Sequence, residues 1–261
     1  MTKSLLGEGN RKRGYTIGTD RGDQAPKYEQ DSPKEDFILC PDCEAYFSVL
    51  ETYINEKVHR RLWDIRKTGD FKEEINTGGV KWKLCINTDS KIFHLFIYSI
   101  IWRCSISETP LFKKFKIDNE HEEGLRKSLL LYKVLTQSDL MTEIKKDMDL
   151  FASKFVLMTC EKNLEPTKNM LFHMTGNKNP YTLILNEYML FLSFTENEKQ
   201  KGFQELNNSI PTADKVKVGF LTEKTWDNHR QSLNQFIVEK TIKNLEKDGK
   251  KPFLMDESKL K

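Results

Sequence analysis

The sequence predicts an α+β protein, with a helical N-terminal half and a β-rich C-terminal half that ends in a helix. Three observations carry this. After Cys43 the apolar residues recur every three or four positions, as on one face of a helix. Beyond residue 150 the period falls to two, as in strands with alternating faces. From Thr225 the helical period returns and runs to about Lys247.

Residues 1 to 36 are polar and punctuated by Gly7, Gly9, Gly14, Gly18 and Gly22, with no apolar period, so a polar basic arm is expected there. Phe37-Ile38-Leu39 reads as a short strand. Phe47, Leu50, Ile54, Val58, Leu62 and Ile65 then form one stripe on a helix over about residues 44–66. Thr68-Gly69-Asp70 breaks it, Thr77-Gly78-Gly79 makes a loop, and Val80 to Ile86 alternates loosely as a strand. Asp89 or Ser90 suits the cap of a second helix to about residue 105, apolar on nearly all sides and therefore central to the core. Asp118 or Asn119 caps a third helix ending near Val134, and a fourth, shorter one is expected within Ser138–Met148.

In the second half, Lys154–Cys160, Met170–Met174 and Val216–Leu221 read as strands. Tyr181–Leu185 and Tyr188–Phe194 flank Asn186-Glu187 and predict a tight hairpin. The organisation expected is an arm over 1–36, a zinc-finger-like helical domain over 37–150, and a β-rich domain with its terminal helix over 151–261.

Bulk properties narrow the function classes. The 261 residues carry 42 basic and 39 acidic side chains, a formal net charge of +3. This is a mixed surface and not a polycation, so nucleic-acid binding would need a local patch. The basic cluster Arg11-Lys12-Arg13 is one such patch. The most apolar run, Ile92 to Trp102, is too short to span a bilayer, so no membrane association is expected. Five cysteines without a small-secreted-domain spacing, and an N-terminus without a long apolar segment, suggest a cytoplasmic protein with reduced thiols.

The chemistry-bearing motif is Cys40-Pro41-Asp42-Cys43, on the turn that opens the first helix. Two thiols at this spacing can clamp a soft metal or cycle as a dithiol, and they can also be inert. Strand, Cys-x-x-Cys and helix is the order of the second ligand pair of a treble-clef zinc site. Residues 1–39 hold no Cys and no His, so further ligands would come from Cys85, Cys104, Cys160, a histidine, a carboxylate or another chain. The Cys-Pro-x-Cys string also describes a glutaredoxin-like redox site, with Pro110 as the downstream proline, although the glycine-rich arm before it and the helix-rich stretch after it do not suit that fold.

Ile38-Leu39-Cys40-Pro-Asp-Cys43-Glu44-Ala-Tyr-Phe47-Ser48-Val-Leu-Glu51-Thr-Tyr-Ile54 resembles a segment of uncharacterised bacterial proteins related to the HNH endonucleases. Leu95-Phe-Ile-Tyr-Ser-Ile-Ile-Trp102-Arg103-Cys-Ser105-Ile-Ser107 and His121-Glu122-Glu123-Gly-Leu-Arg126 resemble a second block of the same family. The resemblance covers roughly residues 35–130 and implies a zinc-binding, nucleic-acid-associated protein, by analogy in a phage-defence or mobile-element setting. It also implies an upstream Cys-x-x-Cys and a His followed by Ile-Pro-Lys. Neither precedes Cys40 here: either the chain starts late or both are lost, and in both cases the treble clef is expected to be degenerate in this chain and nuclease activity weak or absent from it alone. A divalent metal would serve hydrolysis only if that base were supplied.

Cys40 and Cys43 are therefore the expected metal ligands, and Arg11, Lys12, Arg13 and Arg103 the expected nucleic-acid contacts, with no catalytic residue assigned. Arg103 suits a structural ion pair first, with Glu51, Glu122 or Glu123. His121-Glu122-Glu123 suits an acidic first helical turn better than a metal cluster, and His94 a core histidine better than a ligand. Two other functions stay open: a protein-interaction module that docks a partner through the C-terminal sheet, and a thiol redox protein.

Overall fold

A computed structural model of the chain describes residues 14–16, 27–29, 39–59, 71–75, 81–146, 149–161, 170–173, 180–186, 188–194 and 215–250. The fold is α+β, with five α-helices and a mixed sheet among the described residues. Two compact units divide the chain: residues 33–163 with 170–221, and residues 1–32 with 164–169 and 222–261. No helix among the described residues is long and apolar enough to cross a membrane.

In the first unit, helix α1 (Pro41–Ile54) begins with Pro41 in its first turn, where a missing N–H costs nothing, and with Asp42 and Glu44 beside the positive end of its dipole. It buries Tyr46, Phe47, Leu50, Tyr53 and Ile54, and a π-helical turn over Asn55–His59 adds Val58 to that stripe. The Phe47, Leu50, Ile54, Val58 spacing thus meets the core as expected, while Leu62 and Ile65 lie outside the described residues.

Helix α2 (Ser90–Ile106) buries twelve of its seventeen residues, which accounts for its apolar character on nearly every side. Asp89 caps it: Ile92 N donates to Asp89 Oδ1 at 3.0 Å. The backbone N–H of Asp89 donates to Tyr53 Oη at 2.9 Å, tying α1 to the start of α2. At the other end Lys116 Nζ donates to the carbonyls of Ser105 (2.7 Å) and Ser107 (3.2 Å), a cation placed where a helix leaves acceptors unsatisfied. Helices α3 (Asn119–Leu131) and α4 (Gln137–Glu143) follow. Asp118 occupies the cap position of α3 without a side-chain cap bond, whereas Thr136 caps α4 through Asp139 N at 3.1 Å.

Among the described residues the sheet has seven strands in the order β3 (Phe71–Ile75), β4 (Lys81–Cys85), β9 (Val216–Leu221), β5 (Lys154–Cys160), β8 (Tyr188–Ser193), β7 (Tyr181–Asn186), β6 (Met170–His173). Neighbours are antiparallel except β5 and β9, which run parallel with Leu157 opposite Val218. The predicted hairpin is present, with Leu185 opposite Tyr188. The register places Phe155, Leu157, Leu190, Leu192, Tyr181, Leu183, Val216, Val218 and Cys85 on one face, within the same core as the helices. Phe93 of α2 stacks on Phe155 at 5.4 Å between ring centroids, and Tyr98 Oη donates to the carbonyl of Phe151 at 2.5 Å. On the opposite face Val156, Met158, Cys160, Ile184, Met189 and Trp82 are also buried. Gly219 lies opposite Trp82, and a Cβ there would sit 3.2 Å from the indole, so the glycine makes room for the ring.

In the second unit, β1 (Gly14–Thr16) pairs antiparallel with β2 (Lys27–Glu29), and helix α5 (Glu223–Lys247) is capped by Thr222 and buries Trp226 and Leu245. The helix matches the period that begins near Thr225.

Two local expectations change. The arm over 1–36 contains a short β-ladder, because three-residue strands are too brief to show a period. Phe71–Ile75, without any expected element, is a strand. It is the charged edge strand of the sheet, with Lys72, Glu73 and Glu74 exposed, so no apolar alternation marks it. Of the strand expected at Phe37–Leu39, residues 37 and 38 lie outside the described residues and Leu39 forms a bend before Cys40. The sheet takes β3 and β4 from before residue 150 and its other strands from after it, so the change of period at 150 marks a passage from helices to strands inside one compact unit.

Candidate functional site: a thiol pair at a helix start

Cys40 is the last extended residue before α1, with φ −72° and ψ 156°, and Cys43 lies in the first helical turn. The carbonyl of Cys40 accepts from Cys43 N at 3.0 Å and Glu44 N at 3.1 Å, which fixes the two residues relative to each other. Their side chains share one side of the turn, with the Sγ atoms hydrogen-bonded at 3.2 Å. Cys40 is exposed and Cys43 half-buried.

A third group reaches the pair from another element. Lys133, just past the C-terminus of α3, places Nζ 4.0 Å from Cys40 Sγ and 3.9 Å from Asp42 Oδ2. The two thiols are pushed apart in acidity. The hydrogen bond to Cys43 holds the Cys40 thiol below its ordinary value, aided by the Cys43 backbone N–H and the Lys133 ammonium. Burial, followed by the hydrogen bond to Cys40, pushes the Cys43 thiol up. The arrangement is an exposed thiol made more acidic beside a half-buried thiol made less acidic. Nothing in the sequence points to Lys133, which is 93 positions from Cys40.

The other cysteines do not join the pair. Cys85, Cys104 and Cys160 are buried, and burial pushes the first two up to about 12. The histidines of the same unit other than His59 are placed elsewhere. His94 is fully buried in the core, its Nδ1 2.8 Å from the carbonyl of Ser90. His121 stacks on Phe194 with centroids 4.3 Å apart, and His173 Nε2 lies 2.5 Å from the carbonyl of Leu111. His229 is carried by α5, and the side chain of His59 lies outside the described residues. Among the described residues no three of His, Cys, Asp and Glu group as metal ligands. Cys40 and Cys43 therefore supply two thiol donors and no more from the described residues.

Two thiols are the soft donor type that zinc takes. Two sulfurs each about 2.3 Å from a tetrahedral metal lie about 3.8 Å apart. The observed 3.2 Å contact is shorter than that separation.

The residues expected to contact nucleic acid fall into two sets. Arg11, Lys12 and Arg13 lie outside the described residues. Arg103 is engaged within the fold: Nη2 donates to Glu51 Oε1 at 2.8 Å, Nε donates to the carbonyl of Ser99 at 3.0 Å, and the guanidinium lies 5.2 Å from the centroid of Phe47. This is the ion pair expected of it, made with Glu51 rather than Glu122 or Glu123. Any phosphate at Arg103 would have to compete with that carboxylate.

His121, Glu122 and Glu123 diverge, as neighbours on a helix do. Glu122 accepts from Ser105 Oγ at 2.6 Å, and Glu123 pairs with Arg126 at 2.6 and 2.8 Å. Their work is to join α2 to α3 and to stabilise the α3 surface. Pro110 lies exposed in the turn after α2. No protein-family model matches this chain, and neither curated proteins nor solved structures yield a match.

Proposed function

We propose that Cys40 and Cys43 form a zinc-binding half-site in a nucleic-acid-associated protein related to the HNH endonucleases, without nuclease chemistry of its own. The observation that carries the reading is the pair of thiols on one helix-start turn, with sulfurs 3.2 Å apart and the Lys133 ammonium alongside. Helix-start amides and a nearby cation favour thiolates, the form that zinc binds. When bound, the metal would cross-link the turn and act structurally. Hydrolysis would further require a base to activate water, and no residue is assigned to that role.

Two measurements test the reading. Freshly reduced protein should retain zinc through chelating-resin treatment, and Cys40→Ser should lose it. Absence of zinc in the wild type, with unchanged thermal stability in Cys40→Ser, rejects the metal site. DNA binding should weaken steeply with added salt if phosphates are contacted. Binding that is absent at low salt rejects the nucleic-acid association.

The short sulfur–sulfur contact also favours a second reading, thiol–disulfide exchange. The Cys40 thiolate would attack a disulfide R–S–S–R′, forming a mixed disulfide and releasing R′–S⁻. Cys43, losing its proton to solvent, would then attack Cys40 Sγ, leaving a Cys40–Cys43 disulfide and R–S⁻. Two electrons pass from the dithiol to the substrate disulfide. Turnover with a peptide disulfide in zinc-free protein supports this reading, and inertness of the pair toward such a disulfide rejects it.

A further inference from the structure

Among the described residues the half-site is short by two ligands, and Cys40 is exposed. We infer that a second copy of this chain completes it, so that Cys40 and Cys43 from each of two protomers hold one zinc on a two-fold axis. This rests on the zinc reading above and adds the source of the missing ligands.

Ligand count is the first argument. A structural zinc site takes four donors, and four cysteine thiolates are a common set. The chain has five cysteines, and the three outside the pair are buried away from it. Two-fold symmetry turns two thiolates into four without any new residue, and such interfaces are the commonest in homo-oligomers. Cys40 is exposed at the tip of the turn, so a facing copy has access to it.

Charge is the second argument. Four thiolates around a divalent cation carry a net charge of minus two. Each protomer brings Lys133 to 4.0 Å from its own Cys40 Sγ, and each brings the positive end of α1. Two ammonium groups and two helix starts therefore surround the dianion. Asp42, 3.9 Å from the same ammonium and largely exposed, takes part of that charge and keeps Lys133 oriented toward the turn.

Apolar surface is the third. Leu130, Leu131 and Leu135, on both sides of Lys133, expose 47, 46 and 59% of their surface, in a chain that buries its other leucines of α3. Exposed apolar surface in excess of single scattered residues marks association sites. Here the three leucines lie two or three positions in sequence from Lys133, the residue that reaches the thiols.

Binding would proceed as Zn²⁺ plus four thiols giving the tetrathiolate and four protons released to buffer. The test uses reduced, metal-free, full-length protein titrated with zinc. Sedimentation velocity follows mass, while cobalt(II) in place of zinc reports ligand type by its thiolate charge-transfer absorption. The expected result is conversion of monomer to dimer, complete at one zinc per two chains, reversed by a chelator and lost in both Cys40→Ser and Cys43→Ser. Leu135→Glu should weaken dimerisation at least tenfold with an unchanged circular-dichroism spectrum. One zinc per chain on a monomer overturns the shared site but leaves the half-site reading standing. No zinc binding overturns both. A dimer that forms without zinc and survives Cys40→Ser also overturns the inference.

Discussion

Lys133 Nζ lies 4.0 Å from Cys40 Sγ, joining the end of α3 to the start of α1 across 93 residues of sequence. The ammonium lowers the Cys40 thiol through its charge, after the larger effects of the Cys43 thiol and backbone N–H. The ranking makes a prediction. Alkylation of Cys40 in metal-free protein should slow more in Cys43→Ala than in Lys133→Met, and both should need higher pH than wild type for the same rate. A folded-state thiol held below its unfolded value contributes stability that is present above the unfolded value and is lost as pH falls through the folded one. Cys40 alone therefore gains stability as pH rises, while Cys43, Cys85 and Cys104, pushed up, lose it over the same range, so the alkylation rate and not global stability reads the Cys40 effect. Iodoacetamide rates against pH, followed by peptide mass, check the order. A larger effect from Lys133→Met would overturn it.

Arg103 and Glu51 tie α2 to α1 by a part-exposed ion pair. A pair of that exposure is worth about 0.2–1 kcal/mol. The guanidinium also covers Phe47, which adds about 0.5–1 kcal/mol. Arg103→Ala should therefore cost about 1–2 kcal/mol in urea unfolding, more than Glu51→Ala, because the ring contact survives the latter. A double-mutant cycle should give a coupling of about 0.5–1 kcal/mol. A coupling near zero would mean that the pair is solvated and that Arg103 is free for an external anion.

Tyr46 and Tyr53 lie two turns apart on α1, both buried, and differ in one respect. Tyr53 Oη accepts the backbone N–H of Asp89, whereas Tyr46 Oη has no partner among the described residues. Removing an unpaired buried hydroxyl relieves a desolvation cost, and removing a paired one leaves an orphan donor. Tyr46→Phe should thus be neutral or stabilising by up to about 1 kcal/mol, and Tyr53→Phe destabilising by about 0.5–1.5 kcal/mol. Matched denaturant curves decide the sign. A loss in Tyr46→Phe equal to that in Tyr53→Phe would show that Tyr46 is hydrogen-bonded.

The parts of this fold legible in the sequence are those in which a long run of residues meets one environment. The α1 stripe, the all-round apolar α2 and the 181–193 hairpin each repeat their signal over several positions. What is illegible depends on a single contact or on an edge. Strand β3 is solvated on its charged residues, so its sequence shows no alternation, and only pairing with β4 reveals it. The thiol turn itself is plain from Cys-x-x-Cys before a helix. Its third member is not, because Lys133 approaches through tertiary packing of α3 and its sequence neighbours Leu130, Leu131 and Leu135 resemble any helix end. Ion-pair choice is equally hidden: three glutamates suit Arg103 on sequence grounds, and the packing of α1 on α2 selects Glu51.

Gly124 gives a prediction whose sign opposes helix propensity. It lies inside α3, where glycine costs about 0.8–1.0 kcal/mol relative to alanine, so an exposed site would gain from substitution. A Cβ at Gly124, however, would fall 2.4–2.6 Å from three ring atoms of Phe151. That ring cannot simply swing away, because it packs against Phe194 at 5.7 Å and His121 at 6.0 Å between centroids. The backbone N–H of Phe151 is also held by Ser128 Oγ at 2.9 Å. Overpacking of this kind costs about 1–3 kcal/mol, which exceeds the propensity gain. Gly124→Ala should therefore lower the unfolding free energy by about 1–2 kcal/mol, and the pair Gly124→Ala, Phe151→Leu should recover part of it by vacating the ring. Thermal and urea unfolding of the two variants check this. A stabilised single mutant would mean that α3 and the Phe151 segment are not in contact.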